Sequence, residues 1–256
     1  MTSGILMDIA GVLYEGDHAI EGAPEALATL RDTVVPVRFL TNSTRTPKRR
    51  IVSKLRSFGM DVDNAEVMTP AESACAWLNQ KGHVPHLLVD PDLLEDFEEA
   101  PSSGPTAVVV GDAGSGFTYD RLNAAFRELA EGAPLLALAY NRVFQDSDGL
   151  LSLDAGAFVK ALEFASDRKA KLLGKPSEQF FAAGAESMGL AQQNVFMIGD
   201  DAESDVAGAI QAGLRGAVLV KTGKYRAGDE TRFQPAPSFV AANLDDAVSY
   251  VLERLD

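Results

Sequence analysis

Near its start, the chain carries an apolar run that ends on a single carboxylate: Gly4-Ile5-Leu6-Met7-Asp8-Ile9-Ala10-Gly11-Val12-Leu13-Tyr14. The apolar residues predict a buried strand, and Gly11 marks a sharp exit from it. A strand of this kind delivers Asp8 to the edge of a sheet. Because open α/β sheets bind their ligands at the carboxyl ends of the strands, Asp8 is the first candidate for a functional residue.

The composition is that of a globular protein with a substantial core. The chain has 256 residues, of which 46% are hydrophobic and 23% are charged. Its formal net charge of -14 disfavours nucleic acid or an anionic membrane as the main partner. A bound anion would therefore need local positive charge from a metal ion or from lysines placed beside it.

The cellular compartment is predicted from cysteine usage and from the apolar runs. Cys75 is the single cysteine of the sequence, so nothing indicates an oxidising compartment. The first residues lack the charged region and the long apolar core of a signal peptide. No run approaches the roughly 18 apolar residues of a membrane helix. We therefore expect a cytoplasmic protein.

Strand-like and helix-like patterns alternate along the chain. Strands are predicted at 5–8, 37–41, 86–90, 106–111, 135–140, 195–199 and 217–221. Helices are predicted at 23–31, 47–58, 71–81, 119–131, 157–166 and 202–212. This alternation predicts an α/β fold in which helices cover a parallel sheet.

A second group of acids follows a later predicted strand, in Gly199-Asp200-Asp201-Ala202-Glu203-Ser204-Asp205. The strand places Asp200 at a sheet edge, and Asp205 comes about one helical turn later. Clustered carboxylates raise one another's pKa unless a cation is present, and Mg²⁺ prefers such oxygen ligands. An acidic helix start would explain the same residues without a metal, and we favour that explanation for Asp201 and Glu203.

Two loops carry groups that suit the oxygens of a phosphoryl group. Thr41 and Asn42 follow the second predicted strand and offer a hydroxyl, an amide and backbone N–H groups. Lys175 is held between a glycine and a proline, where it could offset negative charge between Asp8 and a phosphate. Taken singly, a helix cap explains the first loop better, and an ordinary surface loop explains the lysine.

These candidate residues all lie outside the middle third of the sequence. If they form one site, the middle third must be an insertion. We therefore predict a core made of residues 1–71 and 171–256, with an inserted smaller α/β domain at 72–170.

In their order along the chain, the motifs resemble those of the haloacid dehalogenase (HAD) superfamily. The insertion falls between the Thr-Asn element and Lys175, as in subclass IIA, whose α/β cap is of the C2 type. The resemblance implies a Rossmann-like parallel-sheet core with that cap inserted. Within the subclass, six segments are similar to the phospholysine phosphohistidine inorganic pyrophosphate phosphatases and their relatives: 8–14, 37–42, 111–114, 172–177, 195–201 and 221–226.

The resemblance implies a nucleophile and a metal site. Asp8 matches the residue that takes the phosphoryl group as an aspartyl phosphate. Asp8, the backbone carbonyl of Ala10 and Asp200 match the ligands of Mg²⁺. Asp205 matches an acid that supports the metal ligands.

The resemblance also implies the remaining site residues and the activity. Thr41 and Asn42 match donors to phosphate oxygens, and Lys175 matches the lysine that steadies the nucleophile and the phosphate. The implied activity is Mg²⁺-dependent phosphohydrolysis of a small phosphorylated substrate or a phosphoamino acid, with neither nucleic acid nor membrane as partner. Caps of this type often pair in relatives, which implies a homodimer as one option.

Ala10 departs from the pattern of the superfamily. Its phosphatases usually carry an aspartate there as general acid/base, and such catalysis is typically worth about 10²–10⁴-fold. The loss matters most for poor leaving groups such as sugar alkoxides. We therefore predict a preference for activated phosphoryl compounds, namely pyrophosphate, phosphoramidates, and aryl or acyl phosphates.

Several alternatives follow from the same residues. With Ala10, the chain could be a non-catalytic relative that binds a phospho-ligand and keeps the metal site. Phosphonate-cleaving relatives also carry alanine there, but the chain has no room for the cap that they need after the first motif.

Two further segments are open to more than one interpretation. Residues 111–116 lack the GxGxxG spacing of a nucleotide-binding loop and predict a strand-to-helix turn. Residues 221–225 end a strand and line either the site or the surface.

Overall fold

A computed structural model of the chain describes residues 3–145 and 150–255. The chain divides into two compact units. The first consists of Met1–Thr41, Lys48–Met68 and Lys175–Asp256, and the second of Asn42–Pro47 and Thr69–Gly174. The predicted domains include residues 1, 2, 146–149 and 256, which lie outside the described residues.

Strands and helices alternate along the described part of the chain. The strands are β1 (Gly4–Asp8), β2 (Tyr14–Glu15), β3 (His18–Ala19), β4 (Val37–Leu40), β5 (Val67–Met68), β6 (Val84–Leu88), β7 (Thr106–Val110), β8 (Leu135–Ala137), β9 (Val143–Gln145), β10 (Leu151–Leu153), β11 (Lys171–Leu172), β12 (Val195–Gly199), β13 (Gly216–Val220) and β14 (Phe239–Ala241). The α-helices are α1 (Ala23–Arg31), α2 (Lys48–Ser57), α3 (Pro70–Lys81), α4 (Tyr119–Ala130), α5 (Ala155–Ser166), α6 (Glu178–Glu186), α7 (Gly208–Gln211), α8 (Asp229–Arg232) and α9 (Leu244–Leu252).

A parallel sheet of six strands forms the centre of the first unit, in the order β14-β13-β12-β1-β4-β5. β1 is an inner strand, and its Ile5 pairs with Phe196 of β12 on one side and with Val37 of β4 on the other. Because the strands are parallel, their carboxyl ends meet at one edge of the sheet, where ligands bind in α/β folds.

The side chains of β1 alternate between two cores. Ile5 and Met7 pack on one face with residues of α1, α2 and α9. Leu6 packs on the other face with residues of α6 and α7. A strand covered on both faces is apolar throughout, which explains why the run ends only at Asp8.

The second unit has its own parallel sheet of four strands, in the order β11-β8-β7-β6. Val109 of β7 faces a core formed with α3, and the neighbouring Val108 and Val110 face a core formed with α4 and α5. β9 and β10 pair as a separate antiparallel ribbon. Both units are therefore α/β, and the predicted α/β fold with Rossmann-like parallel sheets is confirmed.

The structure confirms a helix in the predicted segment 202–212, but its first part is not an α-helix. Ala202–Ala207 form a π-helix, and α7 covers only Gly208–Gln211. The backbone N–H groups of Asp205 and Val206 both donate to the carbonyl of Asp201, at 3.0 and 3.2 Å, which widens this turn. π-Helical turns are rare and often occur at functional sites.

Residues 42–47 group with the second unit, whereas the predicted division assigns them to the first part. Their contacts with the end of β7 explain the grouping. The hydroxyl of Thr44 accepts a hydrogen bond from the backbone N–H of Asp112 at 3.0 Å. Arg45 Nε forms an ion pair with Asp112 Oδ2 at 2.8 Å.

None of the helices in the described part of the chain has the length and apolar character needed to cross a bilayer.

Candidate active site

Three aspartates meet at the carboxyl end of the six-stranded sheet. Asp8 is the last residue of β1, and Asp200 directly follows β12, the neighbour of β1 in the sheet. Asp205 comes from the π-helix that follows. One carboxylate oxygen of each lies within 4.8 Å of those of the other two, and all three residues are buried. The strand order thus brings together acids that are almost 200 residues apart in sequence.

The π-helix places Asp205 back against the end of β12. Asp201 begins this helix, and its Oδ1 accepts hydrogen bonds from the backbone N–H groups of Glu203 and Ser204, both at 3.0 Å. Asp201 therefore caps the helix, as the sequence predicts. A Cβ on Gly199 would collide with the side chain of Asp205, so glycine is required for this close approach.

Lys175 joins two of the three aspartates. Its Nζ donates to Asp8 Oδ1 at 2.6 Å, to Asp205 Oδ1 at 2.8 Å and to the carbonyl of Leu40 at 3.3 Å. The side chain is only 2% exposed. Burial alone would lower the pKa of Lys175, but the carboxylates of Asp205 and Asp8 outweigh it and raise that pKa. Lys175 is therefore a fixed positive charge.

Asp200 is the least satisfied acid of the cluster. Its Oδ2 accepts a hydrogen bond from the backbone N–H of Lys224 at 2.7 Å. Its Oδ1 is buried and has no hydrogen-bond partner among the residues that the structure describes. Burial, followed by the charges of Asp8 and Asp205, raises the pKa of Asp200 to about 8.

The arrangement fits a divalent cation. Three buried carboxylates face one buried ammonium group, so the cluster carries excess negative charge when all three acids are ionised. Burial and the charge of Asp8 also raise the pKa of Asp205, to about 6, even though Lys175 lowers it. A bound cation would reverse these shifts and give the buried Oδ1 of Asp200 a partner.

In the metal-free protein, stability is expected to fall as pH rises from about 4 to about 8, because the folded-state pKa of Asp200 is raised. In this range the folded protein keeps a proton that the unfolded chain has released, which costs up to about 1.4 kcal/mol per pH unit. Melting temperatures measured in EDTA should therefore decrease from pH 6 to pH 8. Saturating Mg²⁺ should remove the decrease because it favours the ionised carboxylates.

Asp200→Asn provides the control for this experiment. The variant lacks the titrating group, so its melting temperature in EDTA should change less between these pH values and should respond little to Mg²⁺. Equal pH dependence of the wild-type protein with and without Mg²⁺ would contradict the expectation.

The two predicted phosphate donors belong to different units. Thr41 lies in the first unit, is buried, and donates its backbone N–H to the carbonyl of Met68 at 3.2 Å. It directly follows β4, which pairs with β1 on the side opposite to β12. Asn42 belongs to the second unit, where its side-chain oxygen lies beside Gly174. Their roles toward phosphate stay predictions.

Residues 222–224 contact the acidic cluster, although the sequence alone did not decide whether they line the site or the surface. The hydroxyl of Thr222 donates to the carbonyl of Gly11 at 2.5 Å, and the backbone N–H of Lys224 holds Asp200. The segment follows β13, which pairs with β12. The rule that places ligands at the carboxyl ends of neighbouring strands could therefore have found it.

Other residues that the sequence singled out lie elsewhere. Cys75 packs against the α3 core and donates its thiol to the carbonyl of Asp96 at 3.1 Å, as expected of a packing residue. Burial raises its pKa to about 11. Gly114–Gly116 form one short helical turn between β7 and α4, which confirms the predicted strand-to-helix turn.

Comparison with known proteins identifies the family. Residues 5–101 match the family described as haloacid dehalogenase-like hydrolase, and residues 172–247 match the HAD-hydrolase-like family. Haloacid dehalogenase-like hydrolase domain-containing protein 2 of Bos taurus is 43% identical over 251 residues, which cover 98% of this chain and 96% of the relative. The chain belongs to the haloacid dehalogenase-like hydrolases.

Two further comparisons connect this HAD hydrolase with proteins named as phosphatases. Phospholysine phosphohistidine inorganic pyrophosphate phosphatase of Rattus norvegicus is 39% identical over 259 residues, covering 99% of this chain and 95% of the relative. The crystal structure of a 4-nitrophenylphosphatase from Thermotoga maritima superimposes with a TM-score of 0.87 at 29% identity, covering 96% of both chains. The resemblance predicted from the motifs and the assignment as an enzyme are confirmed.

Proposed function

We propose that this HAD hydrolase is a Mg²⁺-dependent phosphatase in which Asp8 accepts the phosphoryl group. The observation that carries the proposal is the environment of Asp8. A buried lysine bonds one of its carboxylate oxygens at 2.6 Å, and Asp200, whose Oδ1 lacks a partner, lies in the same cluster. Such a site can bind a cation and, through it, a phosphoryl group.

In the proposed reaction, Asp8 Oδ2 attacks phosphorus while Lys175 holds Oδ1. The new O–P bond makes an aspartyl phosphate, and the bond from phosphorus to the leaving group breaks. Water then attacks phosphorus, inorganic phosphate departs, and the carboxylate of Asp8 is restored. Because phosphoryl transfer has a loose transition state, positioning and charge stabilisation supply most of the catalysis.

The proposed ligands of Mg²⁺ are Asp8, Asp200 and the backbone carbonyl of Ala10, with Asp205 supporting them. Bound there, Mg²⁺ would supply positive charge that offsets repulsion between the acids and the phosphoryl oxygens. Asp205 accepts a hydrogen bond from Lys175, so it also fixes the lysine that faces Asp8. Through Lys175, Asp205 positions the nucleophile Asp8.

We further propose roles for the two units and for the phosphate donors. The first unit, which contains the acidic cluster, is the catalytic core, and the second is a cap of the C2 type. Thr41 and Asn42, consecutive residues after β4, donate to phosphate oxygens. A homodimer and a cytoplasmic location stay predictions.

The leaving group is expected to decide which substrates are hydrolysed. Ala10 offers a methyl group where phosphatases of the superfamily usually carry an aspartate, so it cannot protonate a departing alkoxide. We propose activated phosphoryl compounds as substrates: pyrophosphate, phosphoramidates such as phospholysine or phosphohistidine, and aryl or acyl phosphates. The named pyrophosphate phosphatase among the relatives supports this substrate class.

A substrate screen with and without Mg²⁺ tests the proposal. The panel should contain p-nitrophenyl phosphate, pyrophosphate, a phosphoramidate and a sugar phosphate, with phosphate release as the readout. We expect Mg²⁺-dependent release from the first three and slow release from the sugar phosphate. Absence of release from the whole panel, with Mg²⁺ binding intact, would favour the non-catalytic alternative.

Ala10→Asp is expected to increase kcat/KM for sugar phosphates by about 10²–10⁴-fold, because it restores a general acid. The gain for p-nitrophenyl phosphate should be much smaller, since nitrophenolate leaves without protonation. Ala10 is exposed, so the longer side chain can be accommodated.

Ala10→Asn is the matched control for this prediction, because the amide has the same shape and cannot transfer the proton. Equal gains for the aspartate and asparagine variants would rule out the acid/base explanation. The comparison uses, within each variant, the ratio of kcat/KM for the sugar phosphate to kcat/KM for p-nitrophenyl phosphate. The amount of folded protein therefore cancels.

A further inference from the structure

A loop from the end of β13 crosses over the turn that follows β1. The hydroxyl of Thr222 donates to the carbonyl of Gly11 at 2.5 Å. These residues are 211 positions apart in sequence and are joined only through the fold of the first unit. The bond fixes the peptide between Gly11 and Val12.

The peptide on the other side of Gly11 is fixed as well. The backbone N–H of Gly11 donates to the carbonyl of Tyr14 at 2.8 Å. Because a peptide unit is planar, the orientation of this N–H group also sets the direction of the Ala10 carbonyl, which belongs to the same unit. Thr222 and Tyr14 therefore hold the two peptides that flank Gly11, whose φ of 86° is available mainly to glycine.

Two glycines allow the loop and the turn to enclose Asp200. A Cβ on Gly223 would collide with Asp200 Oδ2 and with the Cα of Gly11. A Cβ on Gly11 would collide with the same carboxylate. The turn after β1, the loop after β13 and the carboxylate of Asp200 are thus in direct contact, with no space for a side chain between them.

The next residue of the loop orients Asp200. The backbone N–H of Lys224 donates a hydrogen bond to Asp200 Oδ2 at 2.7 Å. The buried Asp200 Oδ1 has no hydrogen-bond partner among the residues that the structure describes. The loop at 222–224 is therefore linked to two of the proposed metal ligands, one by direct contact and one indirectly. It engages Asp200 directly, and it engages the Ala10 carbonyl through the turn.

We infer that Thr222 is a positioning residue for the metal site, and that its hydroxyl holds the Ala10–Gly11 turn and Asp200 in the arrangement that binds Mg²⁺. The inference rests on the proposed function for the identity of the metal. Removing the hydroxyl leaves the carbonyl of Gly11 without this donor, so the turn and the loop lose the bond that joins them. Residues that orient metal ligands typically contribute about 10–100-fold to metal affinity.

The test compares Mg²⁺ binding in Thr222→Val with that in the wild-type protein. Valine has nearly the same shape and lacks the hydroxyl. Binding of Mg²⁺ alone is measured by calorimetry and by the rise in melting temperature on Mg²⁺ titration, both without substrate. We expect affinity about 10–100-fold weaker than wild type. Thr222→Ser, which keeps the hydroxyl, should recover most of the affinity.

Thr231→Val is the matched control. The hydroxyl of Thr231 also donates to a glycine carbonyl, that of Gly228 at 3.1 Å, on an exposed part of the same unit. It should bind Mg²⁺ as the wild-type protein does. Because the readout is binding, loss of affinity in Thr222→Val supports the inference whichever substrate is turned over.

Two results would overturn the inference. One is wild-type Mg²⁺ affinity in Thr222→Val, and the other is equal loss of affinity in Thr222→Ser and Thr222→Val. Failure of the proposed phosphatase function would appear separately, as lack of phosphate release from the substrate panel by the wild-type protein that still binds Mg²⁺.

Discussion

Asp8→Asn is expected to lower kcat by at least about 10⁴-fold for every phosphorylated substrate, because a neutral amide cannot form the aspartyl phosphate. Asparagine has nearly the same shape as aspartate and can still accept a hydrogen bond from Lys175 through its side-chain carbonyl. The fold should therefore persist. The measurement is the initial rate of Mg²⁺-dependent phosphate release from p-nitrophenyl phosphate.

Stability in the absence of metal separates this variant from a simply misfolded one. Asp8 adds negative charge to a buried cluster in which it raises the pKa of Asp200. Asp8→Asn should thus raise the melting temperature in EDTA at neutral pH while it removes activity. Asp17→Asn, at an exposed position 94% accessible to solvent, is the control and should retain activity. Full Mg²⁺-dependent activity in Asp8→Asn would refute the proposed mechanism.

The positions of Asp8 and Asp200 could be predicted because each follows an apolar strand. Buried parallel strands are continuous apolar runs, so the first polar residue after such a run marks the edge of the sheet. The same reasoning applies to Thr41 after β4, and after β13 it marks Lys221, the residue directly before Thr222. In these cases, local sequence determines where the strand ends, and the ends of neighbouring strands lie together.

The contacts within the cluster could not be predicted in this way. The sequence places Lys175 in a loop, but its bonds to both Asp8 and Asp205 depend on the position of that loop beside the sheet. The contact between Thr222 and Gly11 depends on the order of the strands, which no local pattern specifies.

The π-helix is a second feature that the sequence pattern could not predict. The apolar spacing at 202–212 is compatible with an α-helix, and the change of hydrogen-bond register arises where Asp201 receives two backbone N–H groups on its carbonyl. The periodicity of apolar residues indicates which side of a helix is buried, but it does not indicate the hydrogen-bond register of the backbone. The wider turn matters for the candidate site, because it precedes α7 and carries Asp205, which lies beside Asp8 and Asp200.

Lys175→Met is expected to lower the free energy of unfolding in EDTA at neutral pH by about 3–5 kcal/mol, because it leaves Asp8 and Asp205 buried without their cation. The loss should be smaller near about pH 5, because the pKa of Asp205 is raised to about 6 and this acid can take up a proton instead. Denaturant titration at both pH values measures the difference. Loss of a fixed donor to the nucleophile should also lower kcat by about 10²–10³-fold.

The response of Lys175→Met to Mg²⁺ distinguishes electrostatics from lost packing. Without the ammonium group, the cluster carries one more uncompensated negative charge, so Mg²⁺ should stabilise the variant more than the wild-type protein. If the variant had lost only packing, Mg²⁺ would stabilise the variant and the wild-type protein equally. That result would contradict this account. Lys54→Met is the matched control: its ion pair with Asp17 is 2.9 Å long, but the side chain of Asp17 is 94% exposed, so solvent screens the pair. Its stability and its response to Mg²⁺ should both stay close to wild type, since burial, and not the ion-pair distance, makes Lys175 indispensable.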